Sequence, residues 1–183
     1  MGHGVWTYNS AGEDMITRIK AMSDKSMEAI LRSPQSIFEN CCLISCVRTA
    51  CELPDNVHWL RMSFLDVDSE SDKTNQLIQA FPRLQRFEGG PGQILFNAYQ
   101  ANQIIDFILA HHAQPTSLTL YVNCALGVSR SGAVATVAME ITELDAGEFA
   151  RDNPQIGPNR DVLRILRGVV HERKVAGADK RSE

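Results

Sequence analysis

The amino-acid sequence predicts an α/β fold in which helices flank a central, mostly parallel sheet. Short apolar runs of strand length alternate along the chain with longer segments whose apolar residues recur at helical spacing. This alternation is typical of parallel strands that are joined by helical crossovers on the faces of a sheet. The length of 183 residues suits one hydrophobic core, so we assign residues 1–183 to a single domain.

Three segments have the composition of strands. Cys41–Val47 is almost entirely apolar, as is usual for a strand that is buried on both faces of a sheet. Val57–Phe64 contains β-branched and aromatic residues and follows a turn-forming Pro-Asp-Asn sequence. Leu118–Val122 follows Pro115 and leads directly into a loop rich in small residues.

Three further segments have helical character. Ile94–His111 carries an apolar stripe, Ser131–Leu144 is rich in Ala, Val and Met, and Asn159–His171 repeats apolar residues every three or four positions. At the two ends of the chain, we expect residues 1–35 to form an N-terminal helical extension and the charged residues 173–183 to form a flexible tail.

The composition argues against several classes of function. The net charge of −4, from 18 Lys and Arg against 22 Asp and Glu, disfavours sequence-independent binding of nucleic acid. No stretch reaches the roughly 18 to 20 apolar residues that a membrane span requires, so we expect no membrane partner. The N-terminus lacks the basic start and apolar core of a secretory signal.

The five cysteines, at positions 41, 42, 46, 51 and 124, form neither an even set nor paired Cys-x2-Cys units. Their spacing disfavours a zinc site, and their odd number favours a reducing compartment. We therefore expect a cytoplasmic protein that needs no metal and no cofactor.

A loop rich in small residues follows the third predicted strand, and a helix opens after it at Ser131. The N–H groups of such a loop can converge on one anion, and the helix N-terminus adds its positive dipole end. Gly127 permits the backbone conformation that closes the loop, and Arg130 can offer a two-pronged fork to phosphate oxygens. The predicted phosphate-binding residues are Ala125, Leu126, Gly127, Val128, Ser129 and Arg130.

Cys124 lies at the base of this loop. The positive elements above it favour the thiolate, which is the nucleophilic form of cysteine. A thiolate beneath a phosphate cradle is placed for phosphoryl transfer. The hydroxyl of Ser131 can donate to the sulfur and help it depart when the intermediate is hydrolysed.

The sequence Cys-x5-Arg followed by Ser resembles the signature of cysteine-dependent protein tyrosine phosphatases. The form Ala-Leu-Gly-Val-Ser-Arg-Ser-Gly is similar to their dual-specificity branch. The resemblance implies a protein tyrosine phosphatase-like fold, a phosphocysteine intermediate and a phosphorylated protein or small phosphomonoester as substrate. Lipid and inositol polyphosphate phosphatases of this superfamily usually carry basic residues in the loop, and this loop has no Lys or His. Protein phosphotyrosine, or phosphoserine and phosphothreonine, is therefore the expected substrate.

The resemblance also implies a general acid, an Asp in the loop between an earlier strand and the long helix. Asp66 falls at that position, and Asp68 is the alternative. Further along, Pro158-Asn159 is similar to the Pro-Asn segment that opens the last helix of the family.

The sequence departs from the family at Asn123, where a His usually precedes the nucleophile and supports the loop. An Asn side chain can still hydrogen-bond the loop, but it cannot carry charge. This departure leaves open a phosphate-binding pseudophosphatase. Hydrolysis of a non-protein phosphate, sulfur transfer and arsenate reduction are further alternatives.

Cys46 and Cys51 lie near the carboxyl end of the first predicted strand, on the side where we place the site. A reversible disulfide of either residue with Cys124 is a further hypothesis, because some related phosphatases protect their nucleophile in this way. The oligomeric state stays open.

Overall fold

The structure, a computed structural model, describes residues 16–32, 40–47, 57–66 and 95–179. Within them the strands are β1 (Ile16–Ser23), β2 (Cys41–Ser45), β3 (His58–Arg61) and β4 (Leu118–Cys124). The helices are α1 (Asp24–Leu31), α2 (Ala98–His112), α3 (Arg130–Thr142), α4 (Ala146–Asp152) and α5 (Arg160–Asp179).

The strands form one sheet in the order β1-β4-β2-β3, and each described pairing is parallel. The register places Ser23 of β1 beside Cys124 of β4, and Ser45 of β2 beside Asn123. The carboxyl ends of the strands therefore meet at one edge, where sites form in open parallel sheets. The predicted α/β fold with a mostly parallel sheet is confirmed.

Apolar side chains cover both faces of the sheet. On one face, α1 contributes Met27, which packs with Cys41 and Leu43. Cys42 and Ile44 alternate with them along β2 and so point to the opposite face, toward α2, α3 and α5. The largest fully buried apolar side chains of that larger cluster are Ile16, Ile44, Ile104, Ile105, Ile108, Leu120, Val122, Val134, Val137, Val162 and Leu166. Each such side chain contributes about 1.5–3 kcal/mol on burial.

The N-terminal part of the chain differs from the prediction of a helical extension over residues 1–35. Ile16–Ser23 is a strand, and helix follows only over Asp24–Leu31. The buried residues of β1 are Ile16, Ile19 and Ala21. Ile19 and Ala21 alternate, but Ile16 is out of step with them, where the pairing with β4 shifts register between Ile16 and Arg18. The rest of that range, residues 1–15 and 33–35, lies outside the described residues.

The first part of the predicted flexible tail over residues 173–183 is helical, because α5 continues through Arg173 to Asp179. Residues 180–183 lie outside the described residues. The Arg173 guanidinium donates to the carboxylate of Asp106 at 2.7 Å and to the side chain of Asn102, both on α2. These bonds hold the last turns of α5 against α2. No described helix combines the length and the apolar character that crossing a membrane requires.

Side chains from the segment between α4 and α5 bind the outer edge of β1. The Asn153 amide oxygen accepts from the N–H of Ala21 at 2.7 Å, and its Nδ2 donates to the carbonyl of Ile19 at 2.9 Å. Gln155 donates to the carbonyl of Ala21 at 2.7 Å. These side chains take the place of a neighbouring strand and hold the segment beside the carboxyl edge of the sheet.

Candidate active site

Cys124 is the last residue of β4, and α3 begins six residues later at Arg130. Its sulfur lies 3.1 Å from the hydroxyl oxygen of Ser131, in the first turn of α3. The backbone N–H groups of Gly127, Val128 and Ser131 also donate to the sulfur. The loop between β4 and α3 thus comprises residues 125–129, and N–H groups of this loop and of the first turn of α3 converge on the thiol at its base.

Two opposing effects act on the thiol of Cys124. Burial raises its pKa, since only 1% of the residue is exposed. The hydrogen bonds from the Ser131 hydroxyl and from the loop N–H groups favour the thiolate and outweigh burial, so the pKa lies below its ordinary value. The loop therefore favours the thiolate form of Cys124.

Gly127 is the residue on which the shape of the loop depends. Its φ is +75°, in the left-handed region, and a Cβ there would lie 2.4 Å from backbone atoms of Met22 and Ser23. An isolated antiparallel β-bridge between Ser23 and Leu126 pairs the loop with the end of β1. Only glycine allows this close approach of the two backbones.

Arg130 is anchored through one nitrogen of its guanidinium. Nη1 donates to the carbonyl oxygens of Cys46, at 3.1 Å, and Phe64, at 2.7 Å. Nε is buried and has no hydrogen-bond partner among the described residues. A buried donor is normally paired with an acceptor, and a phosphate oxygen bound beside the loop would provide one.

Asp66 lies directly beside the loop. Its Oδ1 accepts from the Ser129 hydroxyl at 2.6 Å and from Nδ2 of Asn159 at 3.0 Å. Its Oδ2 lies 3.8 Å from Nε of Arg130. The carboxyl group that the sequence offers as general acid is therefore next to the candidate phosphate site, whereas Asp68 lies outside the described residues.

The sequence allows the side chain of Asn123 to bond the loop, but in the structure this side chain bonds α1 instead. Its Nδ2 donates to Oδ1 of Asp24 at 3.0 Å, at the start of α1, and its Oδ1 has no partner among the described residues. Burial, followed by the nearby charge of Glu28, raises the pKa of Asp24. The activation of the Cys124 thiol thus comes from the loop and Ser131, without a side-chain bond from Asn123.

Cys46 follows the end of β2 and is fully buried next to the loop. Its N–H donates to the carbonyl of Asn123 at 2.8 Å, which places it beside Cys124. Burial, and then the charge of Cys124, raise the pKa of the Cys46 thiol. The second proposed redox partner, Cys51, lies outside the described residues. The described part of the chain contains no group of three or more side chains suited to a metal.

Comparison with solved structures identifies the fold. The crystal structure of DUSP15 matches with a TM-score of 0.50 at 14% identity, over 84% of this chain and 83% of that chain. The chain has a dual-specificity phosphatase-like fold. The OH1 tyrosine phosphatase of Orf virus and human DUSP28 also match, each with a TM-score of 0.41, at 17% and 15% identity. The match with OH1 covers 86% of this chain and 72% of the OH1 chain. The match with DUSP28 covers 88% of this chain and 94% of the DUSP28 chain. No family profile and no curated protein sequence matches.

Within this dual-specificity phosphatase-like fold, sequence reasoning missed several contacts of the site. No sequence pattern marks Asp24 or Phe64 as part of the site, because each of them contacts a site residue that lies far away in the chain. Asn159 follows a Pro at the start of a predicted helix, which is a helix N-cap signal. That signal predicts its bond to the N–H of Val162, but it does not predict its contact with Asp66.

Proposed function

We propose that the chain is a phosphatase that hydrolyses phosphate monoesters through a phosphocysteine intermediate. The convergence of loop N–H groups and the Ser131 hydroxyl on the sulfur of Cys124 carries this proposal. Donors that stabilise a thiolate at the base of a loop also suit the oxygens of a phosphate seated on that thiolate. A buried structural cysteine would need none of these bonds.

In the first step, the Cys124 thiolate attacks phosphorus, the S–P bond forms and the bond to the ester oxygen breaks. The loop N–H groups and Arg130 hold the three remaining phosphate oxygens and stabilise the charge that develops on them. Asp66 gives its proton to the departing oxygen, so the substrate leaves as an alcohol or phenol.

In the second step, water attacks the phosphocysteine. The Asp66 carboxylate takes a proton from that water, the S–P bond breaks and inorganic phosphate forms. The sulfur leaves as a thiolate, which the hydroxyl of Ser131 stabilises from 3.1 Å. These residues account for both steps as nucleophile, acid and base.

The side chains around the loop favour a protein substrate that carries phosphotyrosine, or phosphoserine and phosphothreonine. Leu126 in the loop is 79% exposed, and Leu65 beside Asp66 is 40% exposed. Apolar side chains at these positions suit a phosphate on an aromatic or aliphatic side chain better than a polyphosphorylated group. A reducing cytoplasm would keep the Cys124 thiol free for this chemistry.

Hydrolysis of p-nitrophenyl phosphate tests the proposal. We expect phosphate release by the wild type and by Cys42→Ser, a matched loss of a buried thiol from the same sheet. Cys124→Ser should lose turnover, because a hydroxyl remains protonated where the thiol ionises. Equal background rates of the wild type and Cys124→Ser would disprove the enzyme.

A phosphate-binding pseudophosphatase is the second candidate, and the bond of Asn123 to Asp24 rather than to the loop favours it. In that case a tyrosine-phosphorylated peptide would bind without turnover. Calorimetric titration with such a peptide would then give an affinity that Arg130→Ala loses, while phosphate release stays at background.

A further inference from the structure

We propose that Ser129 and Asn159 are positioning residues, which select the oxygen of Asp66 that delivers the proton. The inference rests on the proposed function, because it concerns the general acid of that reaction. Its starting observation is that both donors reach the same oxygen. The Ser129 hydroxyl donates to Oδ1 of Asp66 at 2.6 Å, and Nδ2 of Asn159 donates to it at 3.0 Å.

This arrangement decides where the acid proton sits. An oxygen that accepts two hydrogen bonds serves as the carbonyl oxygen of a neutral carboxyl group, so the proton is on the other oxygen. That oxygen is Oδ2, which lies 3.8 Å from Nε of Arg130. Because Arg130 holds the phosphate in the proposed reaction, Oδ2 lies on the side of the reacting group.

The same two donors also assist the proton transfer itself. When Oδ2 gives its proton to the departing ester oxygen, Asp66 becomes a carboxylate. Hydrogen bonds to an ionised acceptor are stronger than those to a neutral one, so the bonds from Ser129 and Asn159 tighten as the transfer proceeds. They therefore stabilise the product of that step more than its reactant.

The contacts of Asn159 fix the orientation of its side-chain amide group. It is 7% exposed, its N–H donates to the carbonyl of Ser129 at 3.1 Å, and its Oδ1 accepts from the N–H of Val162 at 3.0 Å. Since Oδ1 is used as the N-cap of α5, the amide must present Nδ2 to Asp66. A second backbone bond, from Gly157 to Val128 at 3.1 Å, fixes the same segment to the loop.

Asp66 itself depends on these contacts, because its side chain is 36% exposed and follows the end of β3 by five residues. Without the two donors, either carboxyl oxygen can turn toward the substrate or toward solvent. The proton would then face the departing oxygen for only part of the time. General acids contribute about 10²- to 10⁴-fold to such reactions, so partial misplacement should cost about 10- to 100-fold.

The test compares a substrate that needs the acid with one that does not. Phenyl phosphate has a poor leaving group and depends on protonation, whereas 2,4-dinitrophenyl phosphate releases a stable phenolate. We expect Asn159→Ser, which keeps a hydroxyl N-cap but removes the amide donor, to lower the ratio of the kcat for phenyl phosphate to that for dinitrophenyl phosphate about 10-fold or more.

Ser129→Ala should lower the same ratio, and Ser129→Thr, which restores a hydroxyl donor, should recover it. Asn97→Ser is the matched control, because Asn97 caps α2 through the N–H of Gln100 and no described contact joins it to Asp66. Equal losses on both substrates would overturn the inference and leave the phosphatase assignment intact. A wild type that hydrolyses neither substrate would overturn both.

Discussion

The hydroxyl oxygen of Ser131 lies 3.1 Å from the sulfur of Cys124, and both residues are almost completely buried. Cys124 ends β4, one of the two inner strands of the described sheet, and Ser131 belongs to the first turn of the helix that follows. The contact therefore joins two elements through the candidate nucleophile. Because a hydrogen bond to a charged group strengthens as the charge forms, it favours the thiolate over the thiol.

Removing this hydroxyl should make the nucleophile harder to ionise. We expect Ser131→Ala to raise the pKa of the Cys124 thiol and to lower kcat about 10- to 100-fold, as for the loss of one hydrogen bond to a charged group. Iodoacetamide alkylation rates, measured against pH, report the pKa directly. Ser26→Ala, which removes an exposed hydroxyl, serves as control. An unchanged alkylation midpoint in Ser131→Ala would contradict the role of this bond.

Two glycines offer a matched test of the loop geometry. Gly127→Ala places a Cβ 2.4 Å from the backbone of β1 at a positive φ, so it should lower the free energy of unfolding by at least about 2 kcal/mol. Gly168→Ala, in α5 with open space around it, should raise it by about 0.5–1 kcal/mol. Urea denaturation measures both values. A Gly127→Ala protein as stable as the wild type would disprove the close approach of the two backbones.

The carboxyl group of Asp24 should make stability depend on pH. Burial and then Glu28 raise its pKa above the ordinary value of 3.8, so the native chain binds the proton more tightly than the unfolded chain does. The contribution of this group to the free energy of unfolding is therefore fully present below about pH 4 and is lost as the pH rises through the raised pKa. Asp24→Asn keeps an acceptor for Asn123, so it should exceed the wild type in stability at pH 7.

That advantage should shrink as the pH falls toward 4, because a growing fraction of the wild-type carboxyl groups is then protonated. Denaturant midpoints at pH 4, 5, 6 and 7 measure the difference. Glu143→Gln, which removes one negative charge from an exposed side chain, is the matched control. A constant difference between Asp24→Asn and the wild type across this range would refute the prediction.

The neighbouring positions of Cys46 and Cys124 predict a reversible response to oxidation. Neighbouring strands lie about 4.8 Å apart, within the roughly 4.4–6.8 Å between Cα atoms that disulfides need. Peroxide converts the Cys124 thiolate to a sulfenic acid and is itself reduced to water. The Cys46 thiol then attacks that sulfur, a disulfide forms and a second water is released. Burial raises the pKa of Cys46, so this second step should be faster at higher pH.

The measurement is recovery of activity with dithiothreitol after peroxide treatment. The wild type should recover, and a tryptic digest should contain the peptide joined through Cys46 and Cys124. Cys46→Ala should instead lose activity irreversibly, as Cys124 is oxidised further. Cys41→Ala, at a buried thiol outside the site, is the control. Equal recovery of Cys46→Ala and the wild type would rule out the pairing.

The parts of the fold that could be predicted are those whose signal is local. Cys41–Val47 revealed a strand because a parallel strand buried on both faces must be apolar throughout. The loop after β4 was predictable because its small residues, the Arg that follows them and the next helix are consecutive in the chain. β1 could not be predicted, because it pairs with a strand about 100 residues away and its buried positions do not alternate along its whole length.

The same distinction applies to the candidate site. Cys124, Arg130 and Ser131 lie within eight residues, and their spacing alone places them together. The bond of Asn123 to Asp24 spans 99 residues, and that of Asn159 to Asp66 spans 93. No local pattern predicts such contacts, since they depend on the order of the strands and on the path of the segment before α5.

The side chains of Asn153 and Gln155 have one more consequence. An open outer edge on β1 would offer its N–H and carbonyl groups to a strand of another molecule, and such edges are common starting points for aggregation. The amides already engage Ile19 and Ala21 there, so an incoming strand would have to displace them. Within the described sheet, the segment that holds Asn159 next to the loop after β4 therefore also occupies the edge at which another strand would pair.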